Sequence, residues 1–203
     1  MSDLYRAVIW DMGGVILRTE DHTPRLRLAE RLGVSLEELY RSVFASETAR
    51  QAELGLLSTD QHWRSLAERY SLTDDELVQF QNEFWAGDRF DALLLDYIDN
   101  LRPQYKTALL SNAWIDARQV LSACLRVFDL AIFSAEIGLK KPDQEIYLHA
   151  LKALNVTPQQ AIFIDDMPAN VEGARRAGLY PIQFVSRPQV IEELASKLSL
   201  SQQ

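Results

Sequence analysis

Cysteine is almost absent from the sequence, since Cys124 is the only one among 203 residues. A single cysteine excludes a disulfide within the chain, which is typical of a reducing compartment, and we therefore expect a cytoplasmic protein. No basic segment followed by a long apolar one opens the sequence, so no signal peptide is predicted. The apolar runs are much shorter than the roughly 20 residues that cross a bilayer, which argues against a membrane protein.

Basic residues are in the minority, because 21 Lys and Arg stand against 29 Asp and Glu, for a net charge of -8. An acidic surface disfavours nucleic acid and anionic membranes as partners. It does not exclude a small anionic substrate, because a bound metal ion inverts the local field. The length suits one domain, or one domain with an inserted lobe, and predicts no particular oligomeric state.

Strand and helix patterns divide the chain into two kinds of sequence. Residues 5–11 (YRAVIWD) predict a buried strand. Residues 23–86 contain no strand pattern and predict helices, because Ser, Thr or Asp precedes apolar residues at helical spacing. Strands and helices then alternate, which predicts a parallel sheet with right-handed crossovers. We therefore predict an α/β fold with a core of residues 1–17 and 93–203, and with residues 18–92 inserted as a helical lid.

Some individual elements are predicted in finer detail. Thr23 is the expected cap of the first helix, and Ser35 with Glu38 forms a capping-box pattern. We expect one helix over residues 35–55 and another over 116–129. Residues 130–136 (LAIFSAE) are expected to form a strand.

Four apolar segments lead to polar residues that open parallel strands would bring to one crevice. Each residue alone has an ordinary interpretation as a turn, a helix cap or a solvated loop. All of them together, in order and at strand ends, favour a shared site. The residues are Asp11, Ser111, Asn112, Lys140, Lys141, Asp165 and Asp166.

These segments resemble the motifs of the haloacid dehalogenase-like hydrolase superfamily. VIWDMGGVI is similar to the first motif, LLSNA to the second, GLKKPDQEIY to the third and FIDDMPANVEGARRAG to the fourth. The resemblance implies a Rossmann-like three-layer core and a magnesium-dependent phosphatase acting on a small phosphorylated metabolite, such as a sugar phosphate. A helical lid directly after the first motif is similar to the commonest cap type of the family.

The resemblance also implies roles for the acidic residues. Asp11 would be the nucleophile and would carry the phosphoryl group as an acyl phosphate. Asp11 and Asp166 would bind Mg²⁺ directly with the backbone carbonyl of Gly13, and Asp165 would bind it directly or through water. Asn170 would hold a ligand or a metal-bound water, with a plain helix-surface amide as the alternative.

Phosphate binding is assigned by the same resemblance to the second and third motifs. Ser111 would donate its hydroxyl to the phosphate, beside the backbone N–H of Asn112. Lys141 would offset the charge on the transferring group. Lys140 is its rival, but Lys141 directly precedes Pro142, as the family lysine does, so Lys140 is expected to be solvated.

Gly13 departs from the family pattern, because most of these phosphatases carry an Asp there that protonates the leaving oxygen. General acid–base catalysis is worth about 10²–10⁴-fold. One alternative is a substrate with a good leaving group, such as an anomeric sugar phosphate or acyl phosphate, as in similar bacterial glucose-1-phosphate phosphatases. Another is replacement of the acid by water or a lid residue. A third is a weak or idle protein that binds a phosphorylated ligand. The lid candidates for the acid are Glu20, Asp21, His22 and Glu47.

Two other activities of the family are weighed against the phosphatase. The dehalogenase branch also lacks the second acid, but its fourth motif lacks the adjacent pair that is retained here as Asp165 and Asp166. Mutases of the family depend on the acid that Gly13 replaces.

Trp114 is the tryptophan with the best claim to a ligand contact, because it follows the second motif closely. Lid residues that could face the crevice are Arg41, Arg50, Arg64 and Trp85.

Overall fold

A five-stranded parallel sheet lies at the centre of the computed structural model, which describes residues 4–198. The strands in this part of the chain are β1 (Ala7–Trp10), β2 (Leu17–Thr19), β3 (Asp88–Phe90), β4 (Lys106–Ser111), β5 (Leu130–Phe133), β6 (Ala161–Asp165) and β7 (Tyr180–Gln183). The sheet has the order β5-β4-β1-β6-β7, and every pair of neighbours is parallel. The first strand therefore lies between two strands from the second half of the chain.

Helices cover both faces of this sheet. The α-helices of residues 4–198 are α1 (Thr23–Leu32), α2 (Leu36–Phe44), α3 (Glu47–Glu53), α4 (Thr59–Tyr70), α5 (Asp74–Trp85), α6 (Ala92–Leu101), α7 (Ala117–Val120), α8 (Ser134–Ile137), α9 (Gln144–Leu154), α10 (Pro168–Arg176) and α11 (Arg187–Lys197). Those that pack on the sheet include α6 and α11 on one face and α9 and α10 on the other. Alternate residues of β1 point to opposite faces. Val8 belongs to the apolar cluster that includes α6 and α11, and Ile9 to the cluster that includes α9 and α10. The predicted three-layer α/β fold is confirmed.

Helices α1, α2, α4 and α5 share an apolar cluster of their own, which includes Leu28, Trp63 and Phe84. Strands β2 and β3 flank this helical segment and pair with each other as a short antiparallel ribbon. The sequence patterns predict neither strand, because each has three residues and no alternation of apolar and polar side chains. The division into a core and a lid of residues 18–92 stays a prediction.

Several element bounds differ from those expected from the sequence. Residues 35–55 form two helices, because the hydroxyl of Ser46 accepts the N–H of Ala49 and caps a new helix. Residues 116–129 form only the four-residue α7, turns and a 3₁₀ turn at Leu125–Val127. Strand β5 ends at Phe133, and α8 begins at the next residue, Ser134, so residues 134–136 are not part of the expected strand. Within residues 4–198, no helix is long and apolar enough to cross a membrane.

Thr23 was expected to cap α1, but it is the first residue of the helix. His22 is the N-cap and provides no side-chain hydrogen bond. The carboxylate of Asp21 instead accepts the backbone N–H of Thr23 at 2.9 Å. Asp, like Ser or Thr, readily accepts a hydrogen bond from the backbone N–H two residues further on. The residue that accepts the N–H of Thr23 is therefore Asp21, which lies outside the helix.

Asp91 ties three parts of the fold together. Its carboxylate caps α6 by accepting the N–H of Leu94 at 3.0 Å, and it accepts hydrogen bonds from Arg18 of β2 and Arg187 of α11. Burial alone raises the pKa of Asp91, but the hydrogen bonds from Arg18, Leu94 and Arg187 outweigh it and hold the pKa below its ordinary value. The ionised carboxylate therefore stabilises the folded chain.

We predict that Asp91→Asn lowers the free energy of unfolding at pH 7 by about 1–3 kcal/mol, because two arginines lose a charged acceptor. A lowered pKa means that the stabilisation is present above the unfolded value of about 3.9 and is lost as the pH falls through the folded value. Urea denaturation at pH 7 and pH 3 should therefore show a larger difference from wild type at pH 7.

Asp96→Asn is the matched control, because Asp96 is exposed on the same helix and forms no ion pair with any residue from 4 to 198. This variant should stay within about 0.5 kcal/mol of wild type. Equal losses in the two variants at pH 7 would show that the ion pairs of Asp91 contribute nothing.

Candidate active site

The carboxyl ends of three neighbouring strands bring distant parts of the chain together. Asp11 directly follows β1, Ser111 ends β4 and Asp165 ends β6. Trp10 is in register with Leu109 on one side and Ile164 on the other. The N–H of Asp11 continues the ladder by donating to the carbonyl of Ile164 at 2.9 Å. The acid and the hydroxyl therefore meet at one edge of the sheet.

Lys141 joins two of the carboxylates at this edge. Its Nζ lies 2.7 Å from Asp11 Oδ1 and 2.7 Å from Asp165 Oδ2. Burial alone lowers the pKa of the Lys141 ammonium, but the carboxylates of Asp11 and Asp165 outweigh burial and raise the pKa above its ordinary value. Lys141 is therefore charged at neutral pH although it is almost completely buried.

Asp165 is held on every side. In addition to Lys141, the side-chain amide of Asn170 donates to both carboxylate oxygens at 3.0 Å, and the N–H of Met167 donates at 2.9 Å. Asn170 is buried, and its carbonyl accepts the hydroxyl of Tyr147 at 2.8 Å. The interpretation of Asn170 as a helix-surface amide is therefore wrong, because the first turn of α10 directs this side chain into the site.

The side chain of Asn112 holds the backbone of Lys141. Its Nδ2 donates to the Lys141 carbonyl at 2.9 Å, and its Oδ1 accepts the Lys141 N–H at 2.8 Å. The Lys141–Pro142 peptide bond beside this contact is cis. From the sequence, only the backbone N–H of Asn112 is expected to take part in the site. No pattern in the sequence predicts this pairing of its side chain with a backbone 29 residues away.

Three carboxylates converge, with one ligand atom from each of Asp11, Asp165 and Asp166 lying within 4.8 Å of the others. Burial raises the pKa of Asp11 to about 7, with Lys141 acting against this shift and Asp165 adding to it. Burial, followed by the charge of Asp165, also raises the pKa of Asp166. Asp166 forms no ion pair with any residue that the structure describes. The cluster therefore has more negative charge than Lys141 neutralises.

Two adjacent glycines differ in what the structure requires of them. Gly14 has a φ of +75°, and a Cβ there would overlap the carboxylate of Asp166. Gly13 is exposed, lies outside the left-handed region, and has no atom within 4 Å of the place where a Cβ would stand. The close approach of Asp166 thus requires glycine at position 14 but not at position 13.

Lys140 was expected to be solvated, and this expectation is wrong. Its Nζ forms an ion pair with Glu53 of α3 at 2.9 Å. Both side chains are at least three-quarters buried, because the end of α3 packs against α8. The hydroxyl of Ser111, by contrast, has no hydrogen-bond partner in the part of the chain that is described. It is therefore free to donate to a ligand at the sheet edge.

The lid residues singled out from the sequence lie mostly on the surface. Glu20, Asp21 and His22 are exposed. The three arginines form ion pairs within their own helices: Arg41 with Glu37, Arg50 with Glu47, and Arg64 with Asp60. Trp85 and Trp114 instead belong to an aromatic group that joins the helices to the sheet edge.

The comparison with protein families bears directly on this arrangement. A family profile described as haloacid dehalogenase-like hydrolase matches residues 5–178, which include every residue of the site. The chain belongs to the haloacid dehalogenase-like hydrolase family. The resemblance read from the four motifs is confirmed, and the hydrolase fold accounts for the meeting of Asp11, Ser111, Lys141 and Asp165 at one edge.

Relatives of this hydrolase include named phosphatases. The sesquiterpene phosphatase astK of Aspergillus oryzae is 28% identical over 96% of this chain and 97% of its own. A phosphorylated carbohydrates phosphatase of Thermotoga maritima is 28% identical over 88% of this chain and 84% of its own.

A solved structure shares the fold of this hydrolase. It is a HAD family enzyme from Bacteroides thetaiotaomicron in a magnesium complex, with a TM-score of 0.76 and 19% identity over 93% of this chain and 99% of the other. The same enzyme has been solved with magnesium and inorganic phosphate.

We predict that Asp166→Asn raises the stability of the metal-free protein by about 1 kcal/mol, the size of a typical single-residue effect. The reason is that Asp166 adds a half-buried negative charge beside Asp165 and forms no ion pair within residues 4–198. Urea denaturation in the presence of a chelator measures the change. Asp143→Asn, which removes an exposed carboxylate without an ion pair in residues 4–198, should leave stability unchanged. An Asp166→Asn variant that is less stable than wild type would contradict the proposed repulsion between the carboxylates of Asp165 and Asp166.

Proposed function

We propose that this protein is a magnesium-dependent phosphatase that cleaves small phosphorylated metabolites, with Asp11 as the nucleophile. The observation that carries the proposal is Lys141, held between Asp11 and Asp165 beside Asp166, which pairs with no basic side chain in residues 4–198. The names of the two relatives support it, since both are phosphatases, one of sesquiterpenes and one of carbohydrates. A sugar phosphate as the substrate stays a prediction.

The donor set suits Mg²⁺. Three carboxylates meet, and among the described residues one ammonium, that of Lys141, offsets them. A hard divalent cation that prefers oxygen ligands would balance the surplus. Asp11 and Asp166 would bind the ion with the carbonyl of Gly13, and Asp165, which Lys141 and Asn170 already occupy, would bind it directly or through water. The bound ion supplies the positive charge that allows a carboxylate to approach a phosphate dianion.

The residues of the chain divide the chemistry among them. The carboxylate of Asp11 attacks phosphorus, the bond to the leaving oxygen breaks, and the acyl phosphate on Asp11 is then hydrolysed by water. Lys141 offsets the charge of the transferring group, and its two carboxylate partners keep it in place before substrate arrives. The free hydroxyl of Ser111 and the backbone N–H of Asn112 donate to the phosphate.

Gly13 restricts which substrates this site cleaves well. Without an acid at that position, the leaving group departs with little help from a proton donor. Acyl phosphates and anomeric sugar phosphates meet this condition, because their leaving groups are stabilised without protonation. We take water in the open space at Gly13 as the replacement acid, because the four lid candidates are exposed: Glu20, Asp21, His22 and Glu47.

A phosphate-binding protein without turnover is the second candidate function, and Gly13 is the observation that favours it. Its site would hold a phosphorylated ligand through Ser111, Asn112 and Lys141. Dehalogenation has less support, because the retained pair Asp165 and Asp166 forms a cation site that a reaction at carbon does not use. Substitution of Asp11 separates turnover from binding.

We predict that wild type hydrolyses acetyl phosphate with Mg²⁺ and that Asp11→Asn lowers the rate by on the order of 10³-fold or more, because the nucleophile is lost. Phosphate release is measured with Mg²⁺ and again with a chelator, which should also abolish activity. Asp143→Asn is the control for a lost exposed charge and should keep wild-type activity. Equal, slow release by wild type and Asp11→Asn would refute the phosphatase and leave the binding protein.

We also predict that Gly13→Asp increases the turnover of alkyl phosphates, by up to about 10²-fold, and changes that of acetyl phosphate much less. The new carboxyl has room, since no atom lies within 4 Å of a Cβ at this position. Gly13→Asn has nearly the same shape but supplies no acid, so it should not increase turnover. Equal effects of Gly13→Asp on both kinds of substrate would show that the site does not lack a proton donor.

A further inference from the structure

Three aromatic rings, one of them three residues after Ser111, form a partly exposed surface that the proposed chemistry does not use. Phe44, Trp85 and Trp114 make up this aromatic patch. The ring centroids are 5.8 Å apart for Phe44 and Trp85, 6.4 Å for Phe44 and Trp114, and 6.5 Å for Trp85 and Trp114. These spacings are typical of rings in contact, so the patch is one continuous apolar surface.

Packing accounts for only the inner faces of these rings. Phe44 and Trp85 rest on the buried Phe84, with centroids 5.4 Å and 5.0 Å away. Trp114 rests edge-on against Trp63 at 5.4 Å. Phe44 and Trp85 nevertheless remain 39% and 37% exposed. The patch is thus held in position by the helices while its outer faces are in contact with water.

The patch lies between the sheet edge and the helical segment. Trp114 comes from the sheet edge, three residues after Ser111, whereas Phe44 ends α2 and Trp85 ends α5. Just beyond Trp85, the carbonyl of Gly87 accepts the N–H groups of Glu20 and Asp21, which places the end of α5 beside the chain that leaves the site. The chain that carries Ser111 and Asn112 therefore continues directly into the patch.

Two polar side chains beside the patch, His62 and Arg25, are already paired. The ring nitrogens of His62, 4.9 Å from Trp114 between centroids, lie within hydrogen-bond distance of Thr48 Oγ1 and the carbonyl of Val43. The guanidinium of Arg25 lies over Trp85 and donates to the carbonyl of Phe84 and to three side chains: Thr19, Tyr40 and Asp88. A group rich in hydroxyls would lose water here and gain few partners, at a net cost.

We propose that the aromatic patch binds an apolar organic group of the substrate, so that phosphorylated hydrocarbon chains or rings are preferred to phosphorylated sugars. This inference rests on the proposed function, because it takes the phosphate to lie at Ser111 and Lys141. It assigns Phe44, Trp85 and Trp114 as specificity-determining residues. The buried ring faces behind them keep the surface preorganised, which limits the entropy lost on binding.

The test is a binding series that does not depend on turnover. Methyl-, butyl- and hexylphosphonate carry a P–C bond that the proposed attack does not break, and calorimetry with Mg²⁺ measures their affinities for the whole chain. We expect affinity to rise with chain length, by up to about fourfold for each methylene that is buried. Trp85→Ala should lower the ratio of the hexyl to the methyl affinity by about tenfold, which is the equivalent of roughly two buried methylenes.

Val78→Ala is the matched control, because Val78 is an apolar residue of α5 with 56% exposure that lies outside the patch. Its ratio of affinities should equal that of wild type. Affinities independent of chain length would overturn the inference, as would equal effects of Trp85→Ala and Val78→Ala. Tighter binding of glucose 6-phosphate than of hexylphosphonate to Asp11→Asn, which does not turn the ester over, would do the same.

Acetyl phosphate separates this inference from the proposed function. Hydrolysis of acetyl phosphate that requires Asp11, without any dependence of binding on chain length, keeps the phosphatase and rejects the apolar subsite. Binding that rises with chain length, without hydrolysis of acetyl phosphate, keeps the apolar subsite and rejects the phosphatase.

Discussion

The ion pairs of Lys141 with Asp11 and Asp165 are the contacts on which the arrangement of the site depends. Removing three charges from water costs several kcal/mol for each ion, and attraction alone offsets this only when the geometry is good. The remaining hydrogen-bonding capacity of Asp165 is met by Asn170 and Met167. The ends of β1 and β6, the start of α10 and the loop before α9 are therefore all fixed relative to one ammonium group.

The site retains more negative charge than the protein itself neutralises. Burial and mutual repulsion raise the pKa of both Asp11 and Asp166, which shows that the folded chain holds these carboxylates at a cost. Gly14 makes the crowding possible, because any side chain there would overlap Asp166. Gly13 has no such steric reason, so the missing acid at this position is a chemical property of the site and not a requirement of the backbone.

Contacts with the helical segment reach the site at two points. Lys140, the neighbour of Lys141 in the chain, pairs with Glu53 of α3, and Trp114, two residues after Asn112, packs among rings of the helices. The same stretches of chain that hold the lysine and the phosphate-binding turn thus also hold the helices.

The sequence by itself determined the parallel sheet and the acids at its edge. Buried parallel strands are continuous apolar runs, and Asp11, Ser111 and Asp165 follow or end such runs, so their meeting follows from the direction of the strands. Only the tertiary structure decided that Asn112 and Asn170 point inward to hold Lys141 and Asp165, that Lys140 pairs with Glu53, and that β2 pairs with β3. The local periodicity of apolar residues predicts whether a segment forms a helix or a strand. These contacts depend instead on residues that are brought together from distant positions in the chain.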